Sequence, residues 1–185
     1  MELVVIRHTR LAIDAGICYG QSEIELADSY TSELETLKTA MPDSFAAVYA
    51  SPLARCRQLA QAFHPEPVVD ARLLEYDFGD WEMQAWNAID TAALDTWMQD
   101  FVNQRPPNGE TLVEMQARVS DFLQQLRSAD HDRCLLVTHA GVIRCIWAVL
   151  LSIPLSEIFK LDVGYGKVLY CELGKSPEYD QVRVT

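Results

Sequence analysis

The sequence predicts an α/β fold built on a largely parallel sheet, and three observations carry that prediction. Leu3-Val4-Val5-Ile6 is a short, unbroken, β-branched apolar run, the pattern of a strand covered on both faces. Similar runs return at residues 45–50 and 134–137. Between them lie segments of helical periodicity, as expected when helices connect parallel strands.

Composition narrows the function classes. With 185 residues, 49% of them hydrophobic, residues 1–185 are expected to form one domain with ample core. A formal charge of -12 and the lack of a Lys/Arg-rich block argue against a nucleic-acid surface, so an anionic ligand needs a local cationic pocket. The N-terminus lacks a secretory signal pattern, and the apolar run at 142–151 is short and interrupted by Arg144. A cytoplasmic protein without a membrane partner is expected. Cys18, Cys56, Cys134, Cys145 and Cys171 are odd in number and scattered, which fits reduced core thiols better than disulfides or structural zinc.

In chain order, the strand at residues 3–6 ends on Arg7 and His8, a cation and an imidazole at the end of the strand where open α/β sheets bind ligands. Residues 9–28 read as a loop. Leu34, Leu37 and Met41 then predict a helix over 29–41 that stops before Pro42. The strand at 45–50 meets Ser51-Pro52, a good N-cap followed by a good first helical residue. Arg55 therefore falls in the opening turn of a second helix, beside free helix-start amides that suit an anion.

Val68 and Val69 suggest a short strand. The stretch from Glu75 to Glu82 mixes four carboxylates with three aromatics, and a carboxyl held against aromatic surface suits a general acid. On composition alone an acidic surface loop with its aromatics tucked into the core is the better fit. Residues 83–103 predict one or two helices carrying Trp86 and Trp97, and about 83–110 is a candidate lid over the sheet. Thr111-Leu112-Val113-Glu114 matches a capping box opening a helix to about Arg127. Residues 133–138 form a strand ending on His139, with an apolar helix over 141–151 behind it. Gly164-Tyr165-Gly166-Lys167 reads as a turn, and strands at 167–173 and 179–184 finish the chain.

Arg7, Arg55, His8 and His139 have the chemistry to hold a phosphate dianion. Thiol phosphatases need an Arg six positions after the Cys, and no cysteine here has one. No D-x-D follows the first strand, no phosphate-binding P-loop is present, and the histidines lack compact metal-ligand spacing. Nucleophilic catalysis by histidine remains: neutral His8 attacks phosphorus, the arginines and a protonated His139 bind the equatorial oxygens, and a carboxylic acid protonates the leaving alkoxide. Cations do here what a metal does elsewhere, so no metal or other cofactor is required.

Arg7-His8-Thr9, Ser51-Pro52-Leu53-x-Arg55, Leu73-x-Glu75 before Phe78-Gly79-x-Trp81-Glu82, Gly109-Glu110-Thr111 and Val137-Thr138-His139-Ala140-Gly141 come in the order of the histidine phosphatase superfamily, and the chain resembles its phosphoglycerate mutase-like branch. The resemblance implies a three-layer α/β/α fold with a mostly parallel mixed sheet and a small phosphate ester as substrate. It implies His8 as the phosphorylated residue, Glu75 as proton donor, and Arg7, Arg55 and His139 around the phosphate, with Thr9, Gln21 and Ala140 as further substrate contacts. Tyr19-Gly20-Gln21-Ser22 and the 75–82 stretch are most similar to the α-ribazole phosphatases, which act in cobalamin assembly. Thr9 stands where Gly is usual, and Asp14 near where mutases carry Asn, which disfavours a mutase. A broad-specificity phosphatase, a mutase-like enzyme and a phospho-ligand-binding module that has lost turnover are the alternatives.

Overall fold

A computed structural model describes residues 1–129 and 131–183. Its sheet has six strands: β1 (Glu2–Arg7), β2 (Ala47–Ala50), β3 (Val68–Val69), β4 (Arg133–Thr138), β5 (Val168–Glu172) and β6 (Gln181–Arg183), in the order β3-β2-β4-β1-β5-β6. Strands β3, β2, β4 and β1 run parallel, while at one edge β5 pairs antiparallel with β1 and β6 antiparallel with β5. The sheet is thus mixed and mostly parallel. Val184, expected in the last strand, lies outside the described residues.

The unbroken apolar runs are explained by two cores. Leu3 and Val5 of β1, with Cys134 and Leu136 of β4, face the core shared with helices α4 (Leu112–Arg127) and α5 (Ala140–Leu151). Val4, Ile6, Leu135 and Val137 face the opposite core, under α1 (Tyr30–Ala40) and α2 (Ala54–Gln61). Side chains alternate across a strand, so a strand covered on both faces must be apolar at every position. Each fully buried Leu, Ile or Val stabilises the fold by roughly 1.5–3 kcal/mol. All five cysteines are free and buried.

The expected capping box forms: Glu114 N donates to Thr111 Oγ1 (3.1 Å), and Thr111 N donates to Glu114 Oε2 (2.7 Å). Residues 83–110 hold a single-turn 3-10 segment (Trp86–Ala88) and the helix α3 (Thr91–Gln99). Trp97 gathers Trp81, Trp86, Phe78 and Phe101 at ring separations of 5.8–6.5 Å. Gly79, at φ +52°, sits so close to the Pro107–Gly109 backbone that a Cβ would clash, which fixes the 75–82 stretch against that segment.

One local expectation is overturned. Ser51 is not the N-cap of the second helix, and Pro52 is not its first residue; α2 begins at Ala54 with Leu53 as cap. The Glu23 carboxylate accepts from Ala54 N (3.0 Å), so that amide is not free for a ligand anion. A side chain from a distant loop has satisfied the orphan amide that local capping rules assign to serine.

Candidate active site

Register decides where the two histidines meet. Arg7 pairs with Thr138 across β1 and β4, so His8 and His139, each one residue further on, emerge side by side at the carboxyl rim. His8 N donates to Thr138 O (3.0 Å), and the imidazole centroids lie 5.2 Å apart.

His8 is almost wholly buried, and its Nδ1 lies 2.8 Å from the Thr9 carbonyl oxygen. A carbonyl can only accept, so Nδ1 carries the proton and the neutral ring keeps its lone pair on Nε2. Burial first, then the Arg55 and Arg7 charges, lower its pKa from 6.5 to about 3. The ring is therefore neutral at pH 7, with the Nε2 lone pair available.

His139 is engaged at both nitrogens. Arg55 Nε points at Nδ1 (3.4 Å), and Nε2 donates to Ser51 Oγ (2.8 Å). Burial, then His8, Arg55 and Arg7, hold its pKa well below the usual value. This corrects the expectation of a protonated His139: in this structure the ring is neutral, with its Nε2–H aimed as a donor. Neighbouring cations and the absence of bulk water work together against a second proton.

Arg55 is fully buried, and its Nη1 and Nη2 donate to the carbonyls of Ser22 (2.6 Å) and Gly20 (2.7 Å). The first loop, irregular in sequence, thus serves to seat a guanidinium. Arg7 donates through Nη1 to Val163 O (2.6 Å) and through Nη2 to the Tyr19 hydroxyl (3.3 Å), and its guanidinium stacks 3.9 Å from the Tyr165 ring centroid. Arg7 Nε and Thr9 Oγ1 flank His8 in sequence and are buried without a partner. Orphaned buried polar atoms are rare and costly, and a bound oxyanion would satisfy them.

Glu75 reaches the start of α5, where Gly141 N donates to Oε1 (3.1 Å) and Tyr76 N to the same oxygen (2.9 Å). A Cβ at position 141 would collide with that carboxylate, so Gly141 is what allows the approach. Glu82, the other carboxylate able to compete as a proton donor, is committed elsewhere: it accepts from Gln21 N (2.8 Å), Ser22 N (2.7 Å) and Ser22 Oγ (2.5 Å), pinning the first loop to the 78–82 turn. Gln21 directs its side-chain amide to the Glu75 backbone carbonyl (3.0 Å), so it braces the segment that carries Glu75. Ala140 lines the cavity beside Glu75.

Three further residues were given no role of their own by sequence reading. Arg118 donates to the carbonyls of Arg72, Leu74 and Glu75 (2.7–3.1 Å) and pairs with Glu110 (2.5 Å), bracing the segment that carries Glu75. Tyr19 and Tyr165 share a hydroxyl–hydroxyl hydrogen bond (3.1 Å) across the mouth. The 164–167 turn brings Tyr165 there, with Gly166 N donating to His8 O (3.2 Å). The paired glycines around Tyr165 were the available signal. Next to Glu75 and Arg7 opens a cavity of about 220 Å³, walled largely by Phe78, Trp86, Trp97, Phe101, Met115 and Phe159.

A buried neutral imidazole between two guanidinia, with a carboxyl beside an aromatic cavity, defines a site for phosphoryl transfer through histidine. The chain belongs to the histidine phosphatase superfamily (branch 1), whose family model matches residues 3–178. Among curated relatives, an adenosylcobalamin/alpha-ribazole phosphatase of Salmonella typhimurium is 29% identical over 90% of this chain and 87% of its own length. A glucosyl-3-phosphoglycerate phosphatase of Mycolicibacterium vanbaalenii is also 29% identical, over 93% of this chain and 83% of its own. Among solved structures, the alpha-ribazole phosphatase of Shigella flexneri superposes with a TM-score of 0.89 at 26% identity, covering 100% of this chain and 95% of that one. The likeness extends the phosphoglycerate mutase-like fold over the described sheet and helices. Among the described residues, no helix is long and apolar enough to cross a membrane.

Proposed function

We propose that this chain is a phosphomonoesterase that needs no metal, works through a phosphohistidine, and hydrolyses α-ribazole 5'-phosphate to α-ribazole in cobalamin biosynthesis. The observation that carries the reading is the His8 environment: a neutral ring with a free Nε2 lone pair, next to orphaned donors on Arg7 and Thr9. His8 Nε2 attacks phosphorus while the bond to the leaving oxygen breaks, and Glu75 gives that oxygen its proton. Arg7, Arg55 and the His139 Nε2–H, which leaves Ser51 Oγ for the substrate, stabilise the three equatorial oxygens. Water then attacks the phosphohistidine, returning its proton to Glu75 and releasing phosphate with His8 restored.

The names of the Salmonella typhimurium and Shigella flexneri relatives support the substrate, as does a cavity whose aromatic walls suit a planar apolar leaving alcohol. In this reading the chain is one histidine phosphatase domain. Residues 83–110 act as its cover, since Trp86, Trp97 and Phe101 on that segment wall the cavity.

A panel of α-ribazole 5'-phosphate, 3-phosphoglycerate and a phosphopeptide, run with chelator present, tests the assignment. The expected result is a kcat/KM for α-ribazole 5'-phosphate at least about tenfold above the others and unaffected by chelator. Preference for 3-phosphoglycerate would move the substrate elsewhere while keeping the reaction; no turnover of any ester would leave a phospho-ligand-binding module.

A further inference from the structure

Three charged residues line the cavity: Arg7, Glu75 and Arg144. The proposed chemistry uses the first two. Arg144 lies on α5, one turn beyond Ala140, and the mechanism has no task for it. Its guanidinium is half-buried among aromatics, 5.2 Å from the Phe159 ring centroid, and its Nε donates to Leu161 O (3.2 Å). Among the described residues, Nη1 and Nη2 make no hydrogen bond and no carboxylate pairs with the group, yet unlike Arg7 Nε neither is sealed from solvent. Burial lowers its pKa, and the Glu75 charge opposes that drop.

A partly desolvated cation without a counter-ion costs stability, and this one sits where the leaving alcohol must lie. We infer that Arg144 is a specificity-determining residue, whose free Nη groups donate to a neutral hydrogen-bond acceptor on the edge of the aromatic body of the leaving alcohol. A second anion on the substrate is the other chemistry a guanidinium can read. It is disfavoured because Glu75 shares the cavity and the remaining walls are largely apolar. A ring nitrogen is the acceptor that both the guanidinium and the aromatic walls accommodate. The inference rests on the phosphomonoesterase reading, and it holds for any heteroaromatic alcohol.

An isosteric pair isolates the interaction: benzimidazolyl-ethyl phosphate carries the ring acceptor, and indolyl-ethyl phosphate has C–H in its place. The wild-type protein should favour the benzimidazole ester about tenfold in kcat/KM, because a donor built to meet an acceptor penalises its absence. Arg144→Met should abolish the preference by raising KM for the benzimidazole ester alone, and Arg144→Lys should restore part of it.

Equal losses on both esters would reduce Arg144 to a packing residue and overturn the inference. So would a wild-type preference below twofold, a result that stands even if the variants fail to fold. A loss confined to 3-phosphoglycerate would make Arg144 an anion reader and equally reject the proposal. If none of these esters turns over in the wild type while p-nitrophenyl phosphate does, the inference fails and the phosphatase reading survives. If p-nitrophenyl phosphate is inert as well, the phosphatase reading itself has failed.

Discussion

The exits of β1 and β4 look alike in sequence and differ in chemistry. Both strands hold a central run of four apolar residues, both are followed directly by histidine, and register sets the two rings at one rim. After β1 the chain enters an irregular loop, and His8 turns Nδ1 back to its own neighbour's carbonyl, leaving Nε2 uncommitted. After β4 it enters α5 at once, and His139, as the N-cap residue, has both nitrogens taken by Arg55 and Ser51. What each ring nitrogen already touches separates the ring with a free lone pair, His8, from the ring whose nitrogens are both engaged, His139; burial, which both share, does not.

The sharpest way to break this comparison is to remove each ring in turn. His8→Ala should lower kcat by about four orders of magnitude or more and abolish an acid-labile phosphoenzyme in rapid-quench experiments with labelled ester. His139→Ala should cost about a hundred- to a thousandfold and still form the phosphoenzyme, more slowly, because it loses only a donor to the transferring oxygens. Label surviving in His8→Ala would exchange the two roles.

The carboxylates extend the contrast with a smaller effect. Glu75→Gln should slow an alkyl phosphate by on the order of a hundredfold and p-nitrophenyl phosphate far less, since a good leaving group needs little protonation. Glu82→Gln should weaken both esters alike, because its carboxylate holds loop amides. Leaving-group dependence in the Glu82 variant would reassign the donor.

The smallest expected effect is on stability. Both histidines have folded-state pKa values below their unfolded ones, so as pH falls through 6.5 the unfolded chain takes up protons that the folded chain refuses. Stability should be full above about pH 6.5 and decline toward pH 3, the window set by His8. His8→Asn should lose less Tm between pH 7 and pH 5 than the wild type; an identical slope would mean that His8 is protonated in the folded protein.

Much of the site was legible because its signals are local. An apolar run stopping at Arg7-His8, the 51–55 turn and the Thr111–Glu114 capping box act over a few residues, and their physics needs no knowledge of the rest of the chain. The same local logic misplaced the start of α2. Ser51 fits an N-cap by its neighbours, but His139, 88 residues away, engages its hydroxyl, and Glu23 covers the amide of Ala54.

The sequence by itself determined the alternation of strands and helices and the two histidine-terminated strands, because side-chain periodicity and residue type state these directly; the family resemblance added the residues proposed to carry the chemistry. Only the tertiary structure decided the protonation and orientation of those residues. The proton on His8 Nδ1, the neutral His139, the bracing of the Glu75 segment by Arg118, the Tyr19–Tyr165 contact across 146 positions and the unpartnered Nη groups of Arg144 depend largely on contacts between residues distant in sequence and on burial. Desolvation and hydrogen-bond partners set pKa and tautomer, and neither exists until the chain has closed around the group.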